Sequence, residues 1–122
     1  MDNDSEPQET VLNPEKIVFQ YRKWLLSEPF DVDEPVFNAI SATLADCKGA
    51  YAKEAAILKN KDLVSGSALA RLSPLAVWAS SLSDDNQFYK AVIAEVELTN
   101  GNKIVQDACF VYCYVIKAIL TH

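Results

Sequence analysis

From residue 13 onward the apolar positions of this 122-residue chain recur every three or four residues, and no stretch needs the strict alternation of a strand. Asn13, Pro14 and Glu15 read as a cap, a first-turn proline and a first-turn acid. They open a helix, carried on Ile17, Val18, Tyr21, Trp24 and Leu25, that runs to about Ser27. Pro29 breaks it, residues 28–33 turn the chain, and Glu34 and Pro35 start a second helix buried through Val36, Phe37, Ile40 and Leu44. Gly49 is expected to bend or end that helix. A third, rich in Ala, Lys, Glu and Leu, spans Tyr51 to Lys59 and stops in the polar stretch Asn60, Lys61 and Asp62. After a Ser-Gly-Ser loop, Ala68 to Ser80 reads as a fourth helix, with Pro74 as a kink or late start. Ser83, Asp84 and Asp85 cap a fifth, carried on Phe88, Val92, Ile93 and Val96 and stopped by the turn Thr99, Asn100 and Gly101. The expected fold is therefore all-α, a compact bundle of about six helices.

The sixth helix, from about Asn102 to Leu120, differs from the others. Its apolar residues, among them Ile104, Cys109, Val111, Val115 and Ile119, cover nearly its whole circumference. A helix apolar all round must be surrounded, and each large apolar side chain left in water forfeits roughly 1.5–3 kcal/mol of burial. Five short helices do not suffice, so the pattern predicts a homo-oligomer or a protein partner at this helix. Residues 1–12 are acidic and aperiodic, which predicts a disordered tail before one helical domain at residues 13–122.

Composition narrows the partners. Half the residues are apolar and 23% charged, the balance of a globular domain. Eleven basic against seventeen acidic residues give a net charge of −6, which repels nucleic acid and anionic membranes alike. The acidic start carries no secretory signal, and the expected location is cytoplasmic. Cys47, Cys109 and Cys113 are odd in number and set among apolar residues, as buried thiols are. Cys109 and Cys113 stand four residues apart, but a closed zinc site needs two further ligands and the one histidine, His122, is terminal. That single histidine leaves no Ser-His-Asp or Cys-His arrangement, and three scattered glycines leave no phosphate-binding loop. The acids Asp31, Asp33, Asp84 and Asp85 lie where turns and helices begin, positions where they satisfy free amides. No catalytic residue and no metal ligand is expected, and the chain is not expected to be an enzyme on its own.

Three segments carry a resemblance. Tyr21-Arg22-Lys23-Trp24-Leu25-Leu26-Ser27-Glu28-Pro29-Phe30-Asp31-Val32 resembles the ADP-ribosylglycohydrolase segment Y-x-x-W-L-x-S-G-P-F-D-I, with Glu28 where the family has Gly. Ser65-Gly66-Ser67-Ala68-Leu69-Ala70-Arg71-Leu72-Ser73-Pro74-Leu75-Ala76 resembles the family's S-N-G-A-L-M-R-I-S-P-L-A. Leu98-Thr99-Asn100-Gly101-Asn102-Lys103-Ile104-Val105-Gln106-Asp107-Ala108-Cys109 resembles L-T-H-P-N-P-x-V-Q-D-A-C. Together they span residues from about Pro14 to Leu120, which thus resemble the middle portion of a family whose members are more than twice as long.

The resemblance implies an all-helical fold that, in complete members, binds ADP-ribose and cleaves its glycosidic link with magnesium ions. It also implies ligand contacts at Ser65, Gly66, Ser67, Arg71 and Asn100, although Gly66, Ser67 and Ala70 stand where the family has Asn, Gly and Met, and Asn100 replaces a histidine. The family's metal ligands lie in a Thr-Asp-Asp motif before this region and an Asp-x-Asp-Thr motif after it, which would fall beyond His122. Asp2-Asn3-Asp4-Ser5-Glu6 has only a faint likeness to the first. Read from the residues alone, the Ser65–Ser67 turn either offers amides and hydroxyls to a phosphate or caps a helix, and Arg71 either meets that phosphate or pairs with an acid. The expected function is that of a truncated, catalytically silent relative acting by protein binding or self-association. The alternative is an ADP-ribose sensor, or a split hydrolase completed by a second polypeptide that carries the magnesium-binding acids.

Overall fold

The computed structural model describes residues 12–64 and 66–121, without the Ser67 side chain. The expected tail up to residue 11, Ser65 and His122 lie outside the described residues. Within them the chain is all-helical: α1 (Pro14–Leu26), α2 (Glu34–Ile40), α3 (Gly49–Asn60), α4 (Ser73–Ala79), α5 (Asp85–Val96) and α6 (Lys103–Thr121), with 3-10 turns at Ser41–Thr43 and Gly66–Arg71. Local capping fixes several starts. The Asn13 side chain accepts from the Lys16 amide, Asp84 accepts from Asn86 and Gln87, and Asn102 accepts from Ile104 and Val105.

Two apolar clusters form the interior. One joins Val18 of α1, Ile40 of α2, Ala52 of α3 and Leu98 beyond α5. The larger gathers Leu72, Ala76, Phe88, Val92, Val96, Val105, Cys109 and Cys113 between α4, α5 and the inner side of α6. The bundle is thus an amino-terminal layer, α1 to α3, set against a carboxy-terminal layer, α4 to α6.

Three boundaries depart from the sequence pattern, each for a local reason. The second helix ends at Ile40 and not near Gly49, because the Ser41 and Thr43 hydroxyls donate to the Asn38 and Ile40 carbonyls and tighten the chain into a 3-10 turn. Gly49 instead opens α3, where its amide donates to Glu15 Oε2 at 2.6 Å. A Cβ there would lie 2.7 Å from that of Pro14, so the close approach of α3 to α1 requires glycine. The stretch Ala68 to Ser80 is not one helix but a 3-10 turn followed by α4, since Pro74 has no amide to continue an α-helical ladder from the preceding turn. Gly101 is held by sterics as well: a Cβ would lie 2.5 Å from the Ala56 carbonyl oxygen of α3.

Past the α1 cap residue Ser27, Glu28 adopts φ 59°, in the left-handed region that favours glycine. Glu28→Gly is therefore expected to stabilise the fold by about 0.5–1 kcal/mol, read as a higher urea midpoint at unchanged slope. Cys109 and Cys113 are fully buried, and burial pushes the Cys113 thiol up to about 12. In native protein a thiol reagent should titrate the partly exposed Cys47 first and reach Cys109 and Cys113 only on unfolding. A raised folded pKa stabilises below the unfolded value and is lost above it. The Cys113 contribution should therefore be complete below pH 9.0, the ordinary thiol value, and fade as pH rises to about 12.

Candidate functional site

Where the two layers meet, polar side chains replace the apolar core. Glu95 sits on the inward side of α5 with Phe88, Val92 and Val96 and is 4% exposed. A bare carboxylate there would be costly, and three donors answer it. The Tyr21 hydroxyl of α1 donates to Oε2. Arg71, at the end of the 3-10 turn, approaches as a fork, Nε to Oε2 and Nη2 to Oε1, each 3.2 Å. The guanidinium carbon also lies 5.4 Å from the centroid of the Tyr21 ring.

The network extends into the adjoining turn. Arg71 Nη2 donates to Thr99 Oγ1 at 2.6 Å, and the Thr99 hydroxyl donates to Asn100 Oδ1 at 2.6 Å. Asn60, the fully buried last residue of α3, donates through Nδ2 to the Thr99 carbonyl at 2.8 Å and to the Pro35 carbonyl at 2.9 Å, and its Oδ1 accepts from Asn38 Nδ2. Side chains from α1, α2, α3, the 3-10 turn and α5 are tied into one cluster.

The electrostatics suit structure more than proton transfer. Burial, and then the Glu95 carboxylate, push the Tyr21 phenol above its usual range, so it stays a hydrogen-bond donor. Desolvation would lower the Arg71 guanidinium, but Glu95 and Tyr21 outweigh it and hold it above its usual range.

Two grooves flank this cluster. One of about 400 Å³ is lined by Tyr21, Trp24, Asp33, Val36, Ala70 and Arg71. The other, of about 450 Å³, includes Lys16, Ile17, Gln20, Leu75, Trp78 and the far side of Tyr21 and Arg71. Their volumes suit a small molecule, and their walls are aromatic and aliphatic, with Arg71 shared between them.

Of the residues the resemblance points to, Arg71 and Asn100 come together, bridged by the Thr99 hydroxyl. Arg71 pairs with an acid, Glu95. Asn100 is 1% exposed, and its Nδ2 has no partner among the described residues. Gly66 is exposed at the opposite end of the 3-10 turn from Arg71, about 10 Å away at a 2.0 Å rise per residue. Ser65 and the Ser67 side chain lie outside the described residues. Asp84 caps α5, and its neighbour Asp85 pairs with Lys117 at 3.1 Å. Asp31 accepts from the Val32 amide, while Asp33 precedes α2 without a capping hydrogen bond and faces the first groove. Among the described residues no group of three or more His, Cys, Asp or Glu side chains is placed to hold a metal ion.

Tyr21, Glu95, Asn60 and Thr99 are the members that sequence reasoning missed as a site. The available signal was Glu95, an acid three residues after Val92 on an otherwise apolar helix face. Removing that carboxylate strands the buried Arg71 charge, so Glu95→Ala should cost about 3–5 kcal/mol in urea unfolding, and pairing Arg71→Met with Glu95→Leu should recover most of it. No family model, curated protein or solved structure matches this chain.

Proposed function

We propose that this chain is a catalytically silent relative of ADP-ribosylglycohydrolases that acts by binding protein through the outer face of α6. One observation carries the reading. Only Val105, Cys109 and Cys113 of that 19-residue helix are buried, while the far side stays in water, with Val111 59% and Val115 50% exposed. Apolar side chains of this size, contiguous along one helix, are characteristic of interaction surfaces. The commitment of Arg71 to Glu95 and Thr99 supports a binding role over catalysis, since it leaves that guanidinium little free charge for a reacting phosphate or sugar.

A second reading, ADP-ribose binding with hydrolysis completed by another polypeptide supplying the magnesium ligands, draws its support from the 400 Å³ groove between Trp24 and Arg71. Calorimetric titration with ADP-ribose, with and without magnesium, separates the two. The protein-binding reading expects no saturable heat, whereas heat abolished by the surface change Trp24→Ala would favour the second. Sedimentation tests the first directly: association above the 13.5 kDa monomer, weakened by Val111→Glu, is the expected result. A monodisperse monomer whose affinity for an apolar dye is unaltered by Val111→Glu would overturn it.

A further inference from the structure

We infer that the outer face of α6 pairs with the same face of a second copy of this chain, the two helices antiparallel; this rests on the protein-binding reading above. Ile104, Ala108, Val111, Val115 and Ala118 succeed one another at steps of four, three, four and three, and all five are exposed. A mean step of 3.5 residues is the seam of a two-stranded coiled coil, and it runs along the side of α6 opposite the buried Cys109 and Cys113.

The seam can be dried without burying a charge. Lys103 and Asp107 pair with each other at 2.8 Å near the start of the helix. Lys117 is turned inward, donating to the Leu82 carbonyl at 3.2 Å and to Asp85 at 3.1 Å. Two tethers hold the seam's flanks, Tyr112 through its hydroxyl to Ser73 at 3.0 Å and Tyr114 against the edges of Phe88 and Phe110.

Self-pairing follows from complementarity. Laid antiparallel about a twofold axis, Ile104 meets the partner's Val115 and Ala108 meets the partner's Val111, so each layer sets a larger side chain against a smaller one, and the arrangement closes on itself. The two Lys103 ammonium groups then lie thirteen residues, about 20 Å, apart along the helix axis, and each Asp107 keeps its own Lys103 as partner, whereas a parallel pair would set like charges side by side. A bilayer fits less well. Although α6 is long and apolar enough to span one, its inner side is packed on α4 and α5, and the chain's charge of −6 opposes anionic lipid. The seam is about 21 Å long and one helix wide, below the roughly 800 Å² per partner of standard interfaces, so the dimer is weak and depends on concentration.

The test is disulfide trapping in full-length protein carrying Cys47→Ser, with Ile104→Cys and Val115→Cys made separately. The expected result is a cross-linked dimer on oxidising the mixture, much less from either variant alone, and none when Glu54→Cys replaces one of them. Dimers from each variant alone would mean a parallel pair and overturn the arrangement. A monomer at every concentration would overturn self-pairing, and flotation with neutral phosphatidylcholine vesicles would reassign the face to lipid. Dye binding to that monomer, lost in Val111→Glu, would leave the protein-binding reading standing; dye binding indifferent to Val111→Glu would remove both.

Discussion

Arg71 and Glu95 bring opposite charges into the junction between two separate apolar clusters, and desolvation makes their pairing obligatory. Neither cluster alone connects every helix. The connection is made by donors and acceptors: Tyr21 from α1, Asn38 from α2, Asn60 from α3, Arg71 from the 3-10 turn, Glu95 from α5 and Thr99 just beyond it. Apolar contacts are indifferent to direction, but a forked guanidinium and a buried amide are not, so this cluster sets how the two layers face each other.

The same commitment limits the chemistry. A guanidinium already answered by a carboxylate and a hydroxyl has little charge left for a ligand, and a phenol held protonated beside a carboxylate is a poor base. The grooves on either side therefore offer shape and aromatic surface more than reactive groups. On α6 one side closes the larger core and the other presents a row of exposed, uncharged side chains.

The resemblance placed Gly where this chain has Glu28, and the left-handed backbone at that residue gives the pattern a physical meaning. It also drew attention to Arg71 and Asn100, which lie one hydroxyl apart around Thr99. The acid that completes the pair went unremarked, because Glu95 lies twenty-four residues from Arg71 in sequence and helical spacing alone does not say which elements pack together. Helical spacing shows Tyr21 as a ring on one face and Asn60 as the polar end of a helix; the groups that engage Asn60, the Pro35 and Thr99 carbonyls and the Asn38 amide, are distant in sequence.

What the sequence determined by itself was whatever is settled within one or two helical turns: the all-helical class, six helices, and caps at Asn13 and Asp84. It also marked α6 as too apolar to be covered by its neighbours, because periodicity is a property of consecutive residues. Tertiary structure alone decided the rest. Gly49 opens a helix because Pro14 and Glu15 crowd it, Arg71 finds Glu95 across two elements, and one side of α6 is left open because α4 and α5 reach only the other. Each of these depends on a partner distant in sequence, and its energy exists only after the layers have met.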